Sequence, residues 1–140
     1  MKKVESVNDR ATVVLVHGAF EHSGRYHELV DQLQKDGYSV IYGDLPGQGR
    51  SSGKSGHIRS FQDYVNTIMM WIQQADPDKK IFLMGHSMGG LAVVRTMEIA
   101  QPKVDGVILS SPALGLLKKA SLPMEIASYK IGRASCRERA

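Results

Sequence analysis

The stretch Ile81-Phe82-Leu83-Met84-Gly85-His86-Ser87-Met88-Gly89-Gly90-Leu91-Ala92-Val93-Val94 decides the fold. Its first four residues are continuously apolar, which suits a strand buried on both faces of a parallel sheet. Its last residues open an apolar pattern that runs from Ser87 to Ala100 and stops before Pro102, the signature of a buried helix. Between them stands G-x-S-x-G. A nucleophile elbow needs this context: a buried strand, a tight strained turn carrying the serine, and a helix leaving it. Gly85 and Gly89 leave room where a Cβ would crowd the neighbouring strand and helix. The same letters occur at Gly49-Arg50-Ser51-Ser52-Gly53, but those residues follow Pro46 and lead into Lys54-Ser55-Gly56, a loop. Ser87 is therefore the candidate nucleophile and Ser51 a chance match. The competing reading of Ser87 is a simple helix N-cap, which needs no glycine on either side.

Working outward, three more β-branched runs appear: Thr12–Val16, Tyr38–Tyr42 and Val107–Leu109. Tyr26, Leu29, Val30 and Leu33 make one helical stripe, with Gly37 where that helix would stop. Phe61, Tyr64, Val65, Ile68, Met69 and Ile72 make another, opened by Ser60 with Asp63 three residues on, a capping signal. The β-α-β-α-β-α-β order predicts an α/β fold, a doubly wound, mostly parallel sheet with right-handed crossovers. Sites in such sheets lie at the carboxyl ends of the strands. Those ends are His17-Gly18-Ala19, Gly43-Asp44-Leu45-Pro46-Gly47, Gly85-His86-Ser87 and Ser110-Ser111-Pro112. Acyl transfer at Ser87 requires two backbone N–H donors for the oxyanion. One comes from the residue after the nucleophile, Met88, and one from the loop after an early strand, Ala19. His86, next to Ser87 on a strand, points to the opposite face and is expected to pack in the turn rather than act as base.

Composition narrows the classes further. The 140 residues are 42% hydrophobic and 23% charged, an ordinary globular balance. No apolar run approaches the ~18 residues of a membrane-spanning helix, and Val4 to Arg10 are too polar for a signal-peptide core, so a cytoplasmic location is expected. The single cysteine, Cys136, excludes an internal disulfide and a cysteine-clustered zinc site. The net charge is +4, and Arg133, Arg137 and Arg139 against Glu138 hold half of it in the last ten residues. With no basic run elsewhere, no nucleic-acid partner is expected. Nucleotide-phosphate loops fail as well. The glycine pair at Gly47 and Gly49 lacks its third member at Ser52, and Gly53-Lys54-Ser55 lacks a glycine at Gln48.

Taken with their order, these residues resemble the α/β-hydrolases, and within them the monoacylglycerol lipase and lysophospholipase group. The resemblance rests on His17-Gly18-Ala19 with Glu21-His22-Ser23-Gly24-Arg25-Tyr26 and on Asp44-Leu45-Pro46-Gly47-Gln48-Gly49-Arg50-Ser51. It continues through Gly56-His57 with Ser60-Phe61-Gln62-Asp63-Tyr64 and Gly85-His86-Ser87-Met88-Gly89-Gly90, about residues 10 to 117 in all. The family pattern usually has His where Gln48 stands. The resemblance implies an ester hydrolase acting on one acyl chain of a small acyl ester or lysolipid, through an acyl-Ser87 intermediate with no metal or organic cofactor. It also implies a mobile cap, approached by residues 112–130, through which the enzyme would transiently meet a membrane surface.

The family triad runs in the order Ser, then Asp or Glu, then His. All five histidines, His17, His22, His27, His57 and His86, lie at or before position 86. The later acids are Glu98, Asp105, Glu125 and Glu138. Glu98 falls on the elbow helix, and Asp105 falls at the end of its strand opposite the site. Residues 1–130 are accordingly expected to be the N-terminal part of a hydrolase domain that stops short of its acid and base. Other α/β-hydrolase activities (esterase, thioesterase, peptidase) remain open, as does a non-catalytic binding module that kept the half-fold. Residues 131–140 are expected to be a non-native tail, because the nine residues Ile131–Arg139 match a translated short-read sequencing adapter.

Overall fold

The computed structural model describes residues 1–115. The expected approach to a cap beyond residue 115, and the tail 131–140, lie outside the described residues. Five strands and three α-helices follow one another in chain order: β1 Lys2–Val4, β2 Ala11–Val16, α1 His27–Lys35, β3 Tyr38–Tyr42, α2 Gln62–Ile72, β4 Lys80–His86, α3 Met88–Ile99 and β5 Gly106–Ser110. A 3₁₀ turn, Ser23–Tyr26, leads into α1. The sheet order is β1-β3-β2-β4-β5, parallel throughout except for the antiparallel β1–β3 pair. This is the doubly wound α/β sheet read from the sequence.

β2 is buried at all six positions, as its unbroken apolar run requires for a central parallel strand. Successive side chains serve opposite faces. Val14 and Val16 join Ile41, Leu83, Ile68 and Trp71 in the core under α2 and α3. Leu15, Val40 and Tyr42 pack with Val30 under α1. The capping signal before α2 is realised: Ser60 Oγ accepts from the Gln62 N–H at 3.2 Å, and Asp63 Oδ2 accepts from the Ser60 N–H. Gly37 stops α1 in a left-handed conformation, φ 94°.

Three details differ from the sequence expectation. β1 is an additional strand; two of its three residues are lysines, and it survives as a short edge strand whose Lys2 ammonium lies 5.5 Å from the Tyr42 ring centroid. The first helix starts one residue later than its stripe, because the His22 ring accepts from the Gly24 N–H and turns Ser23–Tyr26 into a 3₁₀ segment. Finally, α3 is not buried all round. Gly89, Gly90, Ala92, Val93 and Thr96 are buried, while Leu91 and Val94 are half-buried and Ile99 is exposed. A helix on a sheet has one inward face, and its apolar outer face finds no second layer among the described residues.

Candidate active site

β4 delivers the chain into a sharp reversal at Ser87, which has φ 53° and ψ −120°. A side chain in that region of φ/ψ costs on the order of 1–3 kcal/mol and persists only where its surroundings over-determine it. They do so here. The Ser87 N–H donates to the Ser110 carbonyl at 3.0 Å, and the Ser87 carbonyl accepts from the N–H groups of Leu91 and Ala113. The flanking glycines are sterically required. A Cβ on Gly85 would stand 2.6 Å from the Gly89 carbonyl oxygen, and one on Gly89 would fall on the carbonyl oxygens of Val16 and His17. Ser87 precedes the first residue of α3, yet its side chain makes no capping hydrogen bond. The simple N-cap reading therefore fails at this half-buried residue.

The loop after β2 closes over this turn. The position of a Cβ on Gly18 would lie 3.3 Å from Ser87 Cβ, so His17-Gly18-Ala19 runs directly against the serine. His17 is fully buried and staples two strand ends together. Its Nε2 accepts from the Leu45 N–H at 2.9 Å and its Nδ1–H donates to the Gly18 carbonyl at 2.8 Å, a tautomer assigned from these partners. Burial pushes its pKa down, so the ring is neutral. Two neighbouring amides of the loop are occupied: Gly18 N–H donates to Glu21 Oε2 and Phe20 N–H to Gln48 Oε1, each at 2.9 Å. Between them, the Ala19 N–H has no acceptor among the described residues, and neither has the Met88 N–H at the start of α3. Ala19 and Met88 are the residues whose N–H groups the sequence reading assigned to an oxyanion hole.

Acidic groups buttress the loops. Burial raises the Glu21 carboxyl, but the Gly18 N–H, the Tyr26 hydroxyl at 2.9 Å and Arg25 at 3.8 Å hold it below the usual carboxylate range. Asp44 behaves alike: burial opposes its charge, and the N–H groups of Arg50 and Ser23, at 2.8 and 2.7 Å, more than offset that. Asp105 binds the Ile81 N–H at the far end of the sheet, as expected, and Glu98 pairs with Arg95 on the exposed side of α3.

Ser51 Oγ bonds to the carbonyls of Leu45 and Gln48, at 2.6 and 2.7 Å, and no helix follows it. It is a loop-bracing serine. His86, at the end of β4, has its Nδ1 3.1 Å from Ser110 Oγ, which ties β4 to β5. A recess of about 310 Å³ opens beside it, lined by the apolar Leu15, Leu29 and Met84 as well as by Glu21, Arg25 and His86. Sequence reasoning missed Glu21 and Gln48 as loop supports. Their advance signal was their place in the two family-like segments, Glu21–Tyr26 and Asp44–Ser51.

A family model described as "Serine aminopeptidase, S33" matches residues 7–138. The phospholipase YtpA of Bacillus subtilis is 45% identical over 120 residues, which are 84% of this chain and 46% of that protein. The monoglyceride lipase of Rattus norvegicus is 30% identical over 125 residues, 87% of this chain and 41% of that protein. A crystal structure of a Paleococcus ferrophilus monoacylglycerol lipase superimposes with a TM-score of 0.76 at 41% identity, covering 94% of this chain and 50% of that one. The chain thus spans about half the length of these relatives. With the elbow, the sheet order and the family match in agreement, the chain belongs to the α/β-hydrolases, in the lipase- and esterase-type family that the S33 serine aminopeptidase model describes.

Proposed function

We propose that the complete protein is a serine ester hydrolase that cleaves a single acyl chain from a glycerol or glycerophospho alcohol. Ser87 Oγ attacks the ester carbonyl carbon and its proton passes to a general base. The carbonyl oxygen, now negative, is held by the N–H groups of Ala19 and Met88. Collapse expels the alcohol, which takes the proton back, and water then hydrolyses acyl-Ser87 by the same steps in reverse roles.

The observation that carries this reading is the strained, uncapped Ser87 turn lying against a loop in which the Ala19 N–H, between the engaged amides of Gly18 and Phe20, has no acceptor among the described residues. The single-acyl substrate class is supported by the relatives named phospholipase and monoglyceride lipase. The base and its orienting acid belong, in this reading, to sequence outside these 140 residues, since no histidine follows Ser87. The cap belongs there too, and with it any contact with a membrane surface.

Activity-based labelling tests the assignment. A fluorophosphonate should label the complete protein at Ser87, and Ser87→Ala should abolish the label. Labelling that survives Ser87→Ala but disappears in Ser51→Ala transfers the role to the other motif.

A further inference from the structure

Gln48 is a buried polar side chain that the reaction steps above do not use. It is 7% exposed, and its amide oxygen accepts from the Phe20 N–H at 2.9 Å. Tyr64, a buried residue of α2, lies beside it; burial raises the Tyr64 pKa and the Gln48 side chain draws it back. The Gln48 backbone is equally constrained. Its N–H donates to the Leu45 carbonyl at 2.9 Å, its carbonyl accepts from Ser51, and Leu45 is tied to His17. The side chain thus reaches back to the first loop from a turn that is locked in place.

What it grips is the amide next to the proposed oxyanion donor. Phe20 holds φ at 57°, a left-handed conformation that an aromatic residue adopts rarely, and its side chain is exposed, so apolar packing does not fix it. Glu21 holds the His17–Gly18 peptide through the Gly18 N–H, His17 holds the Gly18–Ala19 peptide through the Gly18 carbonyl, and Gln48 holds the Ala19–Phe20 peptide that follows. We propose that Gln48 is a positioning residue of the oxyanion hole: its side-chain oxygen fixes the Ala19–Phe20 peptide so that the Ala19 N–H is aimed at the oxygen developing charge on the substrate. A neutral acceptor suits the task, because a second carboxylate beside Glu21 would repel the oxyanion. This inference rests on the hydrolase reading given above.

The test uses the complete protein, Gln48→Met (similar length, no accepting oxygen), and Gln48→His (an accepting ring nitrogen). An alkyl trifluoromethyl ketone adds Ser87 Oγ at its carbonyl carbon, the Ser87 proton passes to the base, and the carbonyl oxygen becomes an oxyanion in the hole. The matching methyl ketone serves as a ligand that carries no such charge. Gln48→Met should lower kcat on the order of 10–100-fold with KM within about twofold. It should weaken the trifluoromethyl ketone by a similar factor and leave the methyl ketone unchanged, and Gln48→His should regain part of the loss. Amide hydrogen exchange in the unsubstituted protein supplies a readout independent of how the variants fold: the Phe20 amide should be protected and the Ala19 amide should gain protection only with the trifluoromethyl ketone bound. Equal weakening of both ketones, an unchanged kcat, or an unprotected Phe20 amide overturns the positioning role alone. Failure of the unsubstituted protein to form a Ser87-dependent adduct overturns the hydrolase reading and this inference with it.

Discussion

At the residue scale, the proposed oxyanion hole uses the backbone hydrogens of Ala19 and Met88 rather than their side chains, so most substitutions there should be silent. Ala19→Pro is informative because it deletes the N–H. Loss of one such donor costs on the order of 10²–10³ in kcat, so a folded Ala19→Pro protein in a steady-state ester assay should show that drop with little change in KM. A near-normal turnover number would remove Ala19 from the hole. His17 allows a second prediction. Its folded pKa is lowered by burial from an unfolded value of about 6.5. Above pH 6.5 both states are neutral and its contribution is fully present. As pH falls below 6.5 the unfolded chain takes a proton that the folded one refuses, and stability declines. Asp44 and Glu21, lowered by their amide partners, keep their contributions down to about pH 4 and lose them as pH falls through their folded values. Urea midpoints of the complete protein should therefore fall in two stages, and His17→Gln should flatten the stage that begins below about pH 6.5.

At the element scale, the β4–α3 unit depends on how closely the helix approaches the ends of β2 and β4. Gly89→Ala places a methyl group on the Val16 and His17 carbonyls, which are backbone and cannot yield as a flexible side chain would. Overpacking of this kind costs about 1–3 kcal/mol, and the same shift displaces the Met88 N–H. Gly89→Ala should thus lose both stability, read by urea unfolding, and fluorophosphonate reactivity. Gly53→Ala, in open space within an exposed loop but strained at its φ of 108°, should cost stability and yet leave the reactivity intact. If Gly89→Ala reacted normally, the elbow would not need the tight approach seen here.

At the scale of the whole molecule, β5 stands at one margin of the sheet. Among the described residues it pairs only with β4, and Val107, Ile108 and Leu109 are 39%, 47% and 39% exposed. An apolar strand with an unpaired edge is a template for association. The 140-residue polypeptide on its own should therefore self-associate on size-exclusion chromatography. It should also fail to hydrolyse p-nitrophenyl butyrate above a Ser87→Ala control, because both ring nitrogens of His17 are engaged and His86 is bonded to Ser110. A monodisperse monomer with Ser87-dependent turnover would contradict both expectations.

Local pattern alone determined the four parallel strands, the three helices and the choice of Ser87 over Ser51. A buried parallel strand is legible as an apolar run, a helix as a 3.6-residue stripe, and an elbow as a glycine-flanked serine between the two. Tertiary structure decided what local pattern cannot carry. β1 is too short and too charged to read as a strand, and it exists because β3 offers an edge. The outer face of α3 is apolar in sequence but only partly covered in space. His17 with Leu45, and Gln48 with Phe20, each meet across 28 residues of chain. Such pairs are set by the order and register of strands, which bring two loops to the same end of the sheet, and no periodicity along the chain records that proximity.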